Sequence, residues 1–398
     1  MRQGGVDLLR LGLAVVGVAA AMALPVVSVR ASRIAPPELR WLAAVLGPGE
    51  LAAAASVGLA ALATLVLARD ARVRLAVALV TVAGLLVGLG QLAAALVPEA
   101  GPYARIAPGP GAWLLLGTLS LFLTEAAAAL TLGPLGRLGL GAGILAGLVS
   151  LLGSPMLASL SLLVEYRNRA ASFWSEAAQH LVLAGGSFAA ALVVGVPLGL
   201  VAARSRRVGR PVLAALTAIQ TVPSIAMFGL LLLPLGWLAT HVALAATLGV
   251  RGIGTAPALV GLFLYALLPV VGHTAAGIAG VPAAVLEAAS AMGLDRRQRL
   301  RDVELPLALP VLLTGARIAL VQNIGLATVG ALIGAGGFGV FVFQGIGQTA
   351  TDLVLLGALP PVALALMAAL VMDALIAAVP GSAAAGRARS GSAPEVAA

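Results

Sequence analysis

The sequence contains no lysine and no cysteine among its 398 residues. Without lysine it cannot form the standard phosphate loop of nucleotide-hydrolysing proteins, whose Gly-x-x-x-x-Gly-Lys motif needs that side chain. Without cysteine it has no disulfide, no thiolate metal site and no thiol nucleophile. Its histidines, at positions 180, 241 and 273, lack the spacing of metal ligands. If ATP drives this protein, hydrolysis must therefore take place on another subunit.

Charged and aromatic residues are also scarce, at 10% and 4% of the chain, whereas 61% of the residues are hydrophobic. The mean hydropathy is +1.09, and long apolar runs recur along most of the sequence. These properties predict an all-α polytopic membrane protein. The pI is near 11.4, but the arginines lie at the ends of apolar runs. That placement fits the positive-inside rule better than a nucleic-acid-binding surface.

About ten membrane spans are predicted from the apolar runs. Their approximate ranges are 10–29, 49–68, 75–97, 112–132, 139–163, 178–203, 211–235, 256–280, 306–331 and 353–379. With the arginine-rich segments 69–74, 204–210 and 296–301 on the inner side, both termini are predicted to be cytoplasmic. A cleaved signal peptide is an alternative interpretation of the first span, because Arg2 and Arg10 precede an apolar run that ends near Val29.

The spans fall into two regions followed by a tail. Residues 1–165 are predicted to form an accessory transmembrane region of about five helices, and residues 166–380 a second transmembrane domain. The polar segment 165–174, with interfacial aromatics, predicts an external helix or a plain linker between them. Residues 381–398 are Gly, Ser, Ala and Arg-rich, and a disordered cytoplasmic tail is expected.

The most informative segment is the charged loop 282–306 between two apolar runs. Pro282 suits the first turn of a helix, and Gly293 stands where that helix should end. Asp295 and Gln298 have capping-box spacing for a second helix. We expect Pro306 to break this second helix and to start the next span. The pattern predicts a compact helix–bend–helix knob.

Two groups of side chains are expected on the surface of this knob. Ala289 and Met292 are predicted to face a groove on another protein. The rim of the contact is predicted to be basic, formed by Arg296, Arg297, Arg299 and Arg301. The alternative is an ordinary basic loop that only orients the protein in the membrane.

The order of residues in this loop resembles the EAA signature of permease subunits in bacterial ABC importers. The matching positions are Glu287, Ala288, Ala289, Gly293, Val303, Leu305 and Pro306. The match is complete except for Val303, where isoleucine is commoner. The resemblance implies that these residues couple the membrane helices to a separate cytoplasmic ATPase subunit.

The second region resembles the five-helix core of type I ABC importer permeases, the binding-protein-dependent inner membrane components. Within that group it is similar to the osmoprotectant branch, which imports glycine betaine, choline and related quaternary amines. The likeness rests on the segments 179–181, 195–199, 219–229, 252–257, 263–269 and 331–337. The N-terminal region departs from the minimal family domain. No soluble binding domain follows Pro380, and a separate binding protein is therefore expected.

Polar residues within the spans are candidates for the translocation path. Proline and polar groups at membrane depth usually face a cavity or the protein interior. The candidates are Gln220, Pro223, Ser224, Met227 and Asn323, with Gln322 beside them. Helix–helix hydrogen bonding and core filling are equally good explanations for these residues.

Three ionisable residues, Glu125, Arg317 and Asp373, also lie within predicted spans. Because a lone charge is expensive there, pairing or exposure to a cavity is expected, although snorkelling is an alternative for Arg317 and Asp373. The glycine-rich segment 334–339 follows a membrane helix rather than a strand. It is therefore predicted to be a flexible external turn and not a phosphate loop.

The resemblance implies a permease subunit of an ATP-driven importer, without catalytic residues, cofactor or metal of its own. Its expected partners are an ATP-binding subunit, an extracytoplasmic binding protein, a second permease copy or homologue, and the inner membrane of a bacterium. The alternatives are the same machine with an amino acid or a derivative as cargo, and an ion-coupled secondary transporter. A membrane enzyme is disfavoured because no nucleophile–base pair or metal-ligand set stands out.

Overall fold

The computed structural model describes residues 8–33, 35–101, 103–247 and 249–379, so the predicted tail 381–398 lies outside the described residues. The chain divides into two compact units. Unit 1 contains residues 1–170 together with the short segment 345–353, and unit 2 contains residues 171–344 and 354–398. Each unit has apolar cores of its own.

Unit 1 is a bundle of helices with a small sheet. Its helices are α1 (Leu8–Ala23), α2 (Leu42–Val45), α3 (Pro48–Leu67), α4 (Ala71–Ala100), α5 (Pro110–Ala129), α6 (Pro134–Leu152) and α7 (Ser161–Asn168). A 3-10 turn at Pro155–Leu157 precedes α7. Helix α5 packs on α1 and α4, and Phe122 is fully buried in the core that they form.

The sheet was not predicted from the sequence. Strand β1 (Val27–Arg30) lies between β2 (Glu38–Arg40) and β3 (Arg105–Pro108), and both neighbours are antiparallel to it. The predicted first span, 10–29, is therefore wrong in its second part, because α1 ends at Ala23 and residues 27–30 belong to a strand. Pro25 explains this end of the helix, since proline lacks the N–H that would continue it.

Two carboxylates of unit 1, one half-buried and one buried, are held by arginines. Glu125 in α5 accepts from Arg10 at 2.8 Å and from Arg74 at 3.2 Å, which confirms the expected pairing of this intramembrane acid. Glu165 in α7 is 1% exposed. It pairs with three arginines, namely Arg33, Arg105 and Arg169. The pairing ties α7 to the sheet and to the loop after β1.

The helices of the second region lie wholly or mostly in unit 2. They are α8 (Ala170–Arg204), α9 (Arg206–Thr221), α10 (Ser224–His241), α11 (Ala243–Thr247), α12 (Thr255–Ala279), α13 (Ala283–Ala291), α14 (Arg296–Gln298), α15 (Leu305–Ala327), α16 (Gly339–Gly347) and α17 (Thr351–Ala378). A π-helical segment, Arg299–Glu304, joins α14 to α15. A 3-10 segment, Val329–Ile333, follows α15. Helix α12 is the centre of unit 2 and packs on α9, α10 and α15.

Among the described residues, nine helices are long and apolar enough to cross a membrane, and α1 is a shorter apolar helix. All ten predicted spans thus have a helical counterpart, and the chain is an all-α polytopic membrane protein with one small sheet. The seventh predicted span, 211–235, is not one helix, because the chain breaks between α9 and α10 at Val222 and Pro223. Proline at the start of α10 cannot donate to the preceding turn, which ends α9 there.

The glycine-rich turn 334–339 is fastened to the first turns of α8. The Gly337 N–H donates to the Glu176 carboxylate at 2.6 Å, and the Gln179 amide donates to the Ala335 oxygen at 2.8 Å. Gly334, Gly336 and Gly337 all have φ near +80°, a region that favours glycine. These two bonds fasten the turn to α8, and its flexibility stays a prediction.

Candidate coupling segment and intramembrane cleft

The first helix of the loop 282–306 ends in a Schellman motif. Gly293 has φ +80°, and its N–H donates to the Ser290 oxygen at 3.0 Å. The Leu294 N–H donates to the Ala289 oxygen at 3.2 Å. This pair of bonds satisfies carbonyls at the end of α13 and turns the chain sharply. The structure therefore gives Gly293 the helix-ending role expected from the sequence, with Pro282 just before the first residue of α13.

The second helix begins with the predicted capping box. Asp295 accepts from the Arg297 and Gln298 N–H groups at 2.7 and 2.8 Å, and the Gln298 amide oxygen accepts from the Asp295 N–H at 2.9 Å. The expected break at Pro306 does not occur. Helical backbone continues through the π-helical segment into α15, where Leu305 donates to the oxygen of Leu300. The wider turn accommodates a proline that lacks an N–H.

The outward face of this knob differs from the expectation in two respects. Ala289 is 1% exposed in α13, a helix that packs on the π-helical segment, so this side chain is not presented to another protein. Arg299 is not a rim residue, since it donates to the Ser290 hydroxyl at 3.0 Å and to the Glu304 carboxylate at 3.2 Å. The exposed positions are Glu287, Ala288, Gly293, Met292, Arg296, Arg297, Arg301 and Pro306. Val303 and Leu305 are half-buried.

Glu304 connects the knob to a membrane helix. Its carboxylate is buried and accepts from Arg299 within the knob and, at 3.3 Å, from Arg204, the last residue of α8. A carboxylate shared by two guanidinium groups resists rotation, and a buried carboxylate that loses its partners is costly. The knob, α8 and α15 are thus held together at one point. Sequence analysis missed Glu304, although it lies between the signature residues Val303 and Leu305.

A cleft of about 350 Å³ opens between α9, α12 and α15. Gln220 of α9 and Gln322 of α15 both line it, and both amide groups donate to the main-chain oxygen of Tyr265, at 2.8 and 3.5 Å. The other lining residues are Leu268, Pro269, Gly272, His273, Ala276 and Ile318. Gly315 lets α15 approach this face closely, since a Cβ there would overlap the Pro269 oxygen. Gln220 and Gln322 therefore lie on opposite helices of one cleft.

The remaining path candidates lie elsewhere in unit 2. Asn323 is fully buried and donates to the Ser187 hydroxyl of α8 at 2.8 Å. Pro223, Ser224 and Met227 begin α10, and Met227 is 7% exposed. In the described part of the chain, none of these four lines the cleft. Asn323 thus joins two helices, as the packing explanation predicts.

Two functional candidates escaped the sequence analysis of this region. The Tyr265 hydroxyl donates to the oxygen of Val222, which the break between α9 and α10 leaves without a helical donor. His273 donates through Nδ1 to the Pro269 oxygen at 2.8 Å and lines the cleft. Both residues lie in or beside segment 263–269. Pro269, a proline within an apolar span, was the feature of the sequence that could have pointed to them. The Arg317 and Asp373 side chains pair with each other at 3.1 Å, so each has the charged partner that was one of the expectations for these residues, although the sequence did not name that partner.

The fold and the site define a class of protein. A multi-pass helical chain with a knob after its central helix and a cleft among the same helices is a membrane permease. Two family models match: the ABC transporter permease YehY N-terminal domain over residues 6–163, and the binding-protein-dependent transport system inner membrane component over residues 195–381.

Named relatives match about half of the chain. The chain is 41% identical to the osmoprotectant import permease protein OsmW of Salmonella typhimurium over 181 residues, which are 46% of this chain and 79% of that protein. It is 39% identical to the glycine betaine/carnitine/choline permease protein OpuCD of Bacillus subtilis, over 49% of this chain and 78% of the relative. A solved structure of the MetNI methionine ABC transporter is 25% identical, covers 53% of this chain and 95% of that chain, and has a TM-score of 0.44.

The chain therefore belongs to the family of inner-membrane permease components of binding-protein-dependent ABC transport systems. It is a non-catalytic, multi-pass subunit of an ABC importer. The N-terminal match assigns residues 6–163 to a domain described from an ABC permease.

Proposed function

We propose that this permease carries osmoprotectants of the quaternary amine class, such as glycine betaine or choline, into the cytoplasm. The proposal is supported by the relatives, whose names specify osmoprotectant, glycine betaine, carnitine or choline transport. Two copies of the chain, or one copy and a homologous permease, form the pathway through the bacterial inner membrane. A separate extracytoplasmic binding protein delivers the solute.

The knob 282–306 docks into a separate cytoplasmic ATPase subunit. The observation that carries this step is the EAA match on a rigid two-helix knob whose buried Glu304 holds Arg204 of α8. Exposed Glu287, Met292 and the arginines 296, 297 and 301 supply its contact surface. ATP is bound and hydrolysed by the partner, and the permease needs no cofactor. Closure of the ATPase pair then moves a rigid element of the permease between two positions.

The docking step also fixes the orientation that we propose. With the knob in the cytoplasm, alternation along the spans places both termini there, and the turn 334–339 lies at the outer face near the binding protein. The arginine-rich segments 69–74, 204–210 and 296–301 then all face the cytoplasm, in agreement with the positive-inside rule.

A pull-down from mild detergent tests the docking step. Tagged native permease is compared with a double variant, Glu287→Ala with Gly293→Pro, and with Gln91→Leu, which changes an exposed residue of unit 1. We expect the native and Gln91→Leu proteins to recover the ATPase, whereas the double variant loses it. Equal recovery by all three proteins would overturn the docking assignment.

Uptake of labelled glycine betaine and choline tests the cargo. Depletion of ATP should stop uptake, whereas collapse of the ion gradient alone should not. The opposite pattern would point to an ion-coupled secondary transporter.

A further inference from the structure

Pro269 leaves the main-chain oxygen of Tyr265 without its helical partner. In a regular helix this oxygen would accept from the N–H four residues later, and proline has none. The oxygen lies near the middle of α12, where water cannot easily satisfy it. It is satisfied instead by the side-chain amides of Gln220 and Gln322.

These hydrogen bonds fix which way both amides point. A carbonyl oxygen can only accept, so each glutamine must direct its NH₂ group toward Tyr265. Each amide oxygen is then turned away from the Tyr265 oxygen and is available to a solute in the cleft, as is the second N–H of each NH₂ group. Each amide oxygen is an acceptor and carries partial negative charge.

His273 adds a third acceptor by the same reasoning. Its Nδ1 lies 2.8 Å from the Pro269 oxygen, which again can only accept, so the proton of the neutral ring is on Nδ1. The lone pair is consequently on Nε2. His273 lines the cleft together with Gln220 and Gln322.

The rest of the cleft wall is apolar, formed by Leu268, Pro269, Gly272, Ala276 and Ile318. We infer that this cleft is a solute site of the permease itself, which takes the methylated ammonium group of a quaternary amine. This inference rests on the proposed function and names the atoms that would recognise its cargo.

A quaternary ammonium group suits such a wall for two reasons. It carries positive charge but no hydrogen-bond donor, so partial charges on three acceptors attract it without a need for directed bonds. Its methyl groups can pack on the apolar residues. A primary ammonium would have to give up strong hydration on entering the cleft, which disfavours its binding. The cleft volume, about 350 Å³, is at the small end of ligand pockets.

Among the described residues that line the cleft there is no carboxylate. Without a formal negative charge in the wall, the cleft holds the cation weakly. Weak binding suits a transport site, because the solute must be able to leave it. The cleft also lies at a suitable depth. Pro269 and Ile318 are close to the middles of α12 and α15, and Gln220 precedes the break between α9 and α10.

The native chain contains no cysteine, which allows a direct test. Ala276 lines the cleft and is exposed, so Ala276→Cys introduces a single reactive thiol there. The purified variant is treated with two thiosulfonates of similar size, one bearing a trimethylammonium group and the other a sulfonate. Rates are measured with and without tetramethylammonium, and each rate is divided by that of the same reagent with a free thiol.

We expect the cationic reagent to react about ten-fold faster than the anionic one, and tetramethylammonium to slow it. In the same background, Gln220→Leu with Gln322→Leu should remove most of this preference, whereas Gln91→Leu should leave it intact. Elution as a single monodisperse species in size-exclusion chromatography is required of every variant that enters the comparison. Equal rates for the two reagents, or a preference that survives both leucines, would overturn the inference.

The labelling experiment needs neither ATPase nor binding protein. A negative result would therefore reject the cation site without rejecting the proposed function. Normal choline uptake without any cationic preference would leave the cargo assignment standing and reject the cleft as its site. A clear preference without uptake of any quaternary amine would retain a cation site and reject the cargo.

Discussion

The Arg204 guanidinium at the end of α8 lies 3.3 Å from the carboxylate of Glu304, which also accepts from Arg299 of the knob. One buried carboxylate thus joins a membrane helix to the segment that we propose docks on the ATPase. A movement of the knob must displace α8 or break this ion pair. The pair is therefore a mechanical connection between the two.

Glu304→Gln is expected to uncouple the transporter. The neutral amide cannot replace the buried carboxylate as the shared partner of two guanidinium groups, so solute transported per ATP should fall by about ten-fold or more, while the ATPase still binds. Reconstituted vesicles with labelled solute and a phosphate-release assay measure this ratio. Asp302→Asn is the matched control, because Asp302 is exposed two residues away, and it should change the ratio little. An unchanged ratio in Glu304→Gln would remove the connection from the mechanism.

The loss of uptake caused by a substitution at Gly293 should increase with the energy that the new residue needs to adopt the left-handed backbone conformation. With φ at +80°, asparagine is tolerated better than alanine, for which the cost is about 1 kcal/mol, and proline cannot adopt this conformation at all. Uptake should fall in the order Gly, Asn, Ala, Pro, and Gly293→Pro should abolish transport.

Membrane insertion should be equal in all four Gly293 proteins, as measured by resistance to alkaline extraction. The change affects one turn outside the spans, so insertion does not depend on it. Normal uptake by Gly293→Pro would contradict the assigned role of this turn.

The knob was predictable from its sequence because its determinants are local. Asp295 and Gln298 stand three residues apart and cap the same turn, and Gly293 ends the helix directly before them. The direction in which Ala289 faces was predicted wrongly. In a helix of nine residues, the buried side depends on which neighbour packs there, and the π-helical segment could not be foreseen from the sequence.

Non-local features were the ones that the sequence did not reveal. Strand β1 pairs with β3 across more than seventy intervening residues, and each strand has only four residues, too few for a clear alternating pattern. Likewise, Gln220 and Gln322 were separate polar residues in the sequence. Their common acceptor, the Tyr265 oxygen, emerged only once α9 and α15 were seen packed on α12.

Tyr265→Phe should destabilise unit 2, because it removes a hydrogen bond at the break between α9 and α10. The hydroxyl satisfies the Val222 oxygen, and its removal leaves that acceptor unpaired at membrane depth, at a cost of about 1–3 kcal/mol. We expect a lower melting temperature in detergent. Fluorescence-detected size-exclusion chromatography of heated samples measures it. Tyr103→Phe, at a residue that is 76% exposed in unit 1, should melt like the native protein. Identical melting of all three proteins would show that the Tyr265 hydroxyl contributes nothing.

Glu165→Gln should loosen unit 1 at its sheet. Glu165 is the buried counter-ion of three arginines from the β1 loop, β3 and the end of α7, and an amide would leave their repulsion uncompensated. A penalty of about 3 kcal/mol is expected for such a buried group. Hydrogen exchange should therefore accelerate in β1, β3 and α7, while α12 and α15 of unit 2 keep their protection.

The matched control for Glu165 is Glu38→Gln, because Glu38 is an exposed sheet residue that pairs with Arg40 at 3.6 Å. Exposed ion pairs contribute about 0–1 kcal/mol, so this variant should exchange like the native protein. Equal exchange in both variants would mean that the arginines are held by solvent and main-chain oxygens rather than by Glu165. The expected difference, in contrast, would make Glu165 a residue on which the sheet of unit 1 depends, because its carboxylate pairs with arginines of the β1 loop, of β3 and of the end of α7.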